Sequence, residues 1–210
     1  MKLKRSGTIL GIVLVSGIMI IPTGFPSKVY AAIENLIMVK DDVTNNFAGG
    51  VDITVDEGNF EDKENWDGKE CEKIVTIPNK GNTEALIRVA IVPRWIDENG
   101  NPWAGDISSN VVEIGYKNIG INSDWRDGED GYYYYSKILD PDNSTSEIME
   151  NVKLNIQNIE EGLRNSYKGK TLVIDIKAEA VEASEEAYKA TWSPIKNSAI
   201  DSMLTNLVKQ

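Results

Sequence analysis

Hydrophobic and polar positions along the chain follow three successive rhythms. Residues 9–21 form an uncharged, mostly apolar run. From residue 51 a period of two takes over. Val51, Ile53 and Val55 alternate with Asp52 and Thr54, the pattern of a strand with one buried face. Similar stretches at 71–77, 85–92, 110–116, 132–139, 148–156 and 171–180 predict six further strands. Turn clusters at 78–82, 97–102, 127–131 and 140–143 separate several of them. Gly and Asn there permit positive φ, and Pro102 and Pro141 fix φ near −65°. Short strands with this punctuation predict an all-β chain, an antiparallel β-sandwich. A helical period emerges only near the end. Residues 181–192 can form one or two turns. Beyond Pro194, Ala199, Ile200, Met203, Leu204, Leu207 and Val208 fall at helical spacing.

The first rhythm reads as an export signal. Lys2, Lys4 and Arg5 precede the apolar run, whose 13 residues fall short of the roughly 20 that span a hydrocarbon core. Pro22, Gly24 and Pro26 interrupt it. Val29 and Ala31 supply small residues at −3 and −1 for a signal peptidase. Cleavage is expected after Ala31, with Ala32 as the neighbouring alternative, so residues 1–31 are set aside as a signal peptide. The competing reading is a retained membrane anchor. Processing leaves a secreted chain with no stable membrane span.

Charge narrows the range of partners. The 210 residues carry 22 Lys plus Arg against 33 Asp plus Glu, a formal charge of −11. Removing residues 1–31 takes away Lys2, Lys4, Arg5 and Lys28 and no acid, which leaves −15. Phosphate backbones repel such a polyanion, so nucleic acid is excluded as a partner. A chain this long buries roughly 70% of its unfolded surface and needs no disulfide or metal to fold. Its one cysteine, Cys71, closes no internal bridge. That residue reads either as a small apolar strand residue or as a free thiol.

Chemistry is sparse. No histidine occurs anywhere in the sequence, which removes Ser-His-Asp and Cys-His catalysis and the usual zinc sites together. No phosphate-cradling loop or dinucleotide fingerprint is present, so no catalytic residue, metal or cofactor is assigned. Asp124, Asp127, Glu129 and Asp130 bring oxygens together, but Gly128 and Gly131 sit at the wrong offsets for an EF-hand, and a solvated turn is the reading. Tyr132, Tyr133, Tyr134 and Tyr135 alternate faces in a strand, with Tyr132 and Tyr134 on one side. One pair is expected inward and the other on the surface. There it would serve cross-strand packing, a neighbouring subunit or a polysaccharide.

The order of these pieces resembles a known family. Within 37–55, a short apolar strand leads through acidic and polar residues to Phe47, then Ala48, Gly49 and Gly50, then the alternating strand. This is similar to the mature N-terminus of TasA- and camelysin-type matrix proteins. Residues 74–89 resemble that group's hairpin with an Asn-x-Gly-Asn turn, here Asn79 to Asn82. Residues 130–135, 139–141 and 178–192 resemble the BsaA-type branch of SipW-dependent biofilm matrix proteins. The likeness extends to about Trp192.

The resemblance implies a jelly-roll-like sandwich, cleaved by a SipW-type signal peptidase and self-assembled into extracellular fibres. In such fibres the N-terminal strand of one subunit adds to the sheet of the next. On that reading residues 32–46 are a donor-type strand and link, 47–192 the sandwich and 193–210 a tail with helical period. Ile33, Leu36, Ile37 and Val39 would be the inter-subunit side chains. Burying four of them supplies roughly 6–12 kcal/mol before ordering and association costs. The simpler alternative is that this strand pairs within its own subunit. Two other functions stay open: a surface module gripping polysaccharide through the tyrosines, and a camelysin-like metallopeptidase. The missing histidines speak against the second.

Overall fold

The computed structural model describes residues 36–43, 51–58, 60–61 and 63–209, with the backbone alone for 36–43 and 63–65. Residues 1–31, expected to be a signal peptide, and Ala32, Ile33 and Phe47 lie outside the described residues.

The described strands are β1 (Leu36–Val43), β2 (Lys63–Trp66), β3 (Cys71–Val75), β4 (Ala85–Ile96), β5 (Pro102–Trp103), β6 (Val112–Tyr116), β7 (Trp125–Asp127), β8 (Tyr133–Tyr135), β9 (Met149–Leu154) and β10 (Thr171–Glu182). The described α-helices are the single turn α1 (Glu161–Arg164), α2 (Glu185–Trp192) and α3 (Ser198–Leu207), and short 3-10 turns flank α1 at Ile156–Asn158 and Asn165–Tyr167. The all-β reading holds, with few and short helices. Strands assemble into a large sheet of order β2-β1-β10-β4-β8-β7, with β5 also on β4, and a small sheet of order β3-β9-β6. Pairing is antiparallel except at β1, which lies parallel to β10.

The two sheets share one buried cluster. Ile87, Val89 and Ile91 of β4, with Leu172, Ile174 and Ile176 of β10, meet Val75, Val112, Val152 and Leu154 of the small sheet. Residues 51–56 make isolated bridges rather than a full strand, pairing Ile53 with Asn79 and Asp56 with Thr76. Their period of two nonetheless holds, for Val51, Ile53 and Val55 are buried and Asp52 and Thr54 half-exposed.

β4 and β10 carry few polar breaks because part of the large sheet is covered on both faces. On the far face Leu86, Tyr134 and Val181 pack with Tyr188, Trp192, Ile200 and Leu204 of the two C-terminal helices. Each of these helices is capped at its start. The Ser184 side chain accepts from the Ala187 N–H, and Asn197 accepts from the Ala199 N–H. Within residues 193–210, set apart as a tail by their sequence, α3 thus packs against the sheet.

Candidate functional site

The feature with most bearing on function is the slot that holds β1. Thr171 to Lys177 of β10 face Ile37 to Val43 in an unbroken parallel register, Ile37 opposite Thr171 and Val43 opposite Lys177. On its other side, among the described residues, β1 meets only β2, a four-residue strand in register at Leu36–Trp66 and Met38–Lys63 with a shift between. Leu36, Ile37 and Val39, expected to be offered to a neighbour, are paired within their own chain in this single copy. A lone strand leaves its N–H and C=O groups without partners, and the edge of β10 is the ladder its own molecule provides. If β1 left, seven consecutive positions of β10 would become a sheet edge.

The tyrosine run is placed differently from its expectation. Faces alternate as expected: Tyr132 and Tyr134 join the helix-covered cluster, whereas Tyr133 and Tyr135 pack on the inter-sheet core. Yet no exposed pair results. Tyr134 and Tyr135 are buried, and Tyr132 and Tyr133 are half-buried. The sequence pattern leaves one side of the strand open, and α2 and α3 cover it. A polysaccharide platform on these four rings loses its surface. Trp125 stands 5.0 Å from Tyr135, and Tyr116 stands 5.1 Å from Tyr133.

Under the helices lies a polar network that sequence reasoning misses. The guanidinium of Arg88 on β4 sits 4.0 Å from the Tyr132 ring centroid and 4.9 Å from that of Trp192. Its Nε and Nη2 both donate to Oε2 of Glu179, at 2.8 and 2.6 Å. Lys177 lies 2.6 Å from the other Glu179 oxygen and donates to the Tyr132 hydroxyl, which itself donates to Glu179 at 2.9 Å. Tyr134 accepts from Arg88 and donates to Asp130 at 2.8 Å. Burial works against charge on Glu179, but Lys177 and Arg88 outweigh it and hold the carboxyl below its ordinary range. Burial likewise opposes the Arg88 charge, and Glu179 keeps its pKa above the usual value. The Tyr134 phenol is pushed up to about 12, first by burial. These groups neutralise one another and fasten helices to sheet, with Arg88 bridging Glu179 of β10 and Trp192 of α2. One signal is legible in the sequence: Arg88 and Glu179 each interrupt an apolar stretch, and they lie opposite each other in the β4–β10 register.

The chain matches no family model, no curated protein and no solved structure. Among the described residues no group of three or more Cys, Asp or Glu is arranged to hold a metal ion. Nor is any described helix long and apolar enough to cross a membrane.

Proposed function

We propose that the chain is an exported, non-catalytic structural subunit that assembles into extracellular matrix fibres by passing β1 from one copy to the next. The observation that carries this reading is how β1 is held. Among the described strands it comes first, runs along the β10 edge through a backbone ladder, and has just the four-residue β2 on its far side. A ladder of main-chain bonds is the same whichever copy supplies the strand, so exchange costs little once chains are concentrated. Exchange needs a cut amino terminus, which a SipW-type peptidase acting after Ala31 or Ala32 would supply. Two sheets sharing one core agree with a jelly-roll-like sandwich. The acidic composition fits a chain that stays apart at low salt and associates when cations screen it.

The direct test places one cysteine in β1 and one opposite it, Ile37→Cys with Thr171→Cys, in a Cys71→Ala background. Filaments assembled from the mature chain and then oxidised should give a ladder of covalent oligomers on a non-reducing gel. Filaments that yield only internally bridged monomers would show that β1 stays at home, and the exchange reading would fall. Deleting residues 32–40 should leave monomers with no filaments by electron microscopy.

A further inference from the structure

The inward rows of the small sheet's side of the core contain two charges where the period of two calls for apolar residues. In β3 the buried positions are Cys71, Lys73 and Val75. In the neighbouring segment they are Val51, Ile53, Val55 and Glu57. The Lys73 and Glu57 side chains are both fully buried, and Lys73 Nζ contacts Glu57 Oε1. Backbone bonds of 2.9 Å in each direction between Asp56 and Thr76 lock the two segments side by side. Gly58, at φ +60°, turns the chain so that Phe60 comes back over the pair, its ring centroid 4.1 Å from Nζ. A cavity of about 320 Å³ adjoins the site, lined by Glu57, Phe60, Glu61 and Cys71 among others.

Stability alone is a poor reason for this arrangement. Two apolar side chains of similar volume would serve a core as well or better than a buried ion pair, because desolvating both ions offsets their attraction. We propose that Lys73 and Glu57 are the two halves of an intramolecular isopeptide bond formed after folding. Proton transfer from the ammonium to the carboxylate first gives a neutral amine and a neutral acid. The lone pair on Nζ then attacks Glu57 Cδ, the C–OH bond breaks, and the hydroxyl departs as water with a proton from the nitrogen. An Nζ–Cδ amide remains. Atoms balance with one water released, and no oxidant, reductant or activated group is consumed. Contact between the two groups makes the step effectively unimolecular, and the Phe60 ring covers Nζ. The product replaces two buried charges by one neutral amide.

The bond would weld the first described segment after β1 to the body of the fold. Under the fibre reading, tension entering through β1 would pass at Glu57 directly into Lys73 of β3 and leave residues 58–72 unloaded. That consequence rests on the fibre reading. The bond itself does not, because it is read in the monomer.

The experiment is mass spectrometry of the purified, folded mature chain, intact and after denaturation and trypsin digestion. The expected result is a chain lighter by one water, no cleavage after Lys73, and a branched peptide joining Lys73 to Glu57. Lys73→Arg keeps a cation at the position but cannot close the amide under these conditions, and it should show full mass. Wild-type chain at full mass with ordinary cleavage after Lys73 overturns the proposal. So does a water loss that persists in Lys73→Arg or maps to cyclisation at Asp67-Gly68 or Asp127-Gly128. The wild-type digest decides the matter even if the variant does not fold.

Discussion

The first strand and the last helix of the described chain both dock on the large sheet, and they do so by opposite means. β1 lies along the β10 edge and is held by a ladder of backbone bonds. α3 lies on the sheet's face with α2 and is held by the fit of Ile200 and Leu204 among Leu86, Tyr134, Val181, Tyr188 and Trp192. A backbone ladder is nearly indifferent to which chain supplies the strand, whereas a packed cluster accepts one partner in one pose. Under the proposed exchange, one molecule keeps a transferable element and a permanent one on a single sheet. Edge docking suits exchange, and face docking suits closure.

The largest effect expected of breaking that comparison falls on the permanent side. Leu204 is fully buried, so Leu204→Ala opens a cavity and should cost about 4 kcal/mol of unfolding free energy in urea. Below its midpoint the variant should still form filaments, because the β10 edge is untouched. Loss of filaments in a still-folded variant would mean that the tail takes part in assembly.

Next comes the network beneath the helices. Glu179→Ala leaves Arg88 and Lys177 facing each other without their shared carboxylate and should cost about 3 kcal/mol. The pH dependence has a definite sign. Glu179 binds its proton less readily folded than unfolded, so its contribution is fully present above the unfolded carboxylate pKa and is lost as pH falls through the lower, folded value. Wild type should therefore lose stability on acidification below the ordinary carboxylate range, and Glu179→Ala should show a shallower acid limb. Parallel acid limbs for the two proteins would show that Glu179 is not the group that titrates.

Much of the strand pattern is legible in the amino-acid sequence, because a half-buried strand prints its two faces on the order of its residues. The buried Val51, Ile53 and Val55 show this even where pairing shrinks to isolated bridges. Both faces of Tyr132 to Tyr135 are likewise legible, but their coverage is not. Alternation says which residues share a side, and it is silent about what arrives from fifty residues downstream. The same limit hides the pairing of β1. Eight residues of mixed character fit either an intermolecular or an intramolecular ladder, since main-chain bonds leave no mark in side-chain chemistry. Lys73 and Glu57 stand out as charges in apolar rows only once the two rows are known to be neighbours.

The smallest effect on the monomer should come from the transferable side, and it gives the sharpest test. Consecutive N–H groups of a strand point to opposite sides, so Val39→Pro with Lys40→Pro removes one donor from the β10 ladder whichever way the pleat runs. The isolated chain should lose about 1–2 kcal/mol, the scale of one or two hydrogen bonds, because the core clusters under β4 and β10 are untouched. The critical concentration for filament growth should nevertheless rise roughly 5- to 30-fold, since every junction in the fibre would depend on the strand that has been spoiled. The decisive measurement is the crossing of two effects, urea midpoints against filament yield, for this variant and for Leu204→Ala. If the proline variant loses more stability than Leu204→Ala while polymerising at the wild-type critical concentration, then β1 is the fixed element, and edge docking does not confer exchange in this molecule.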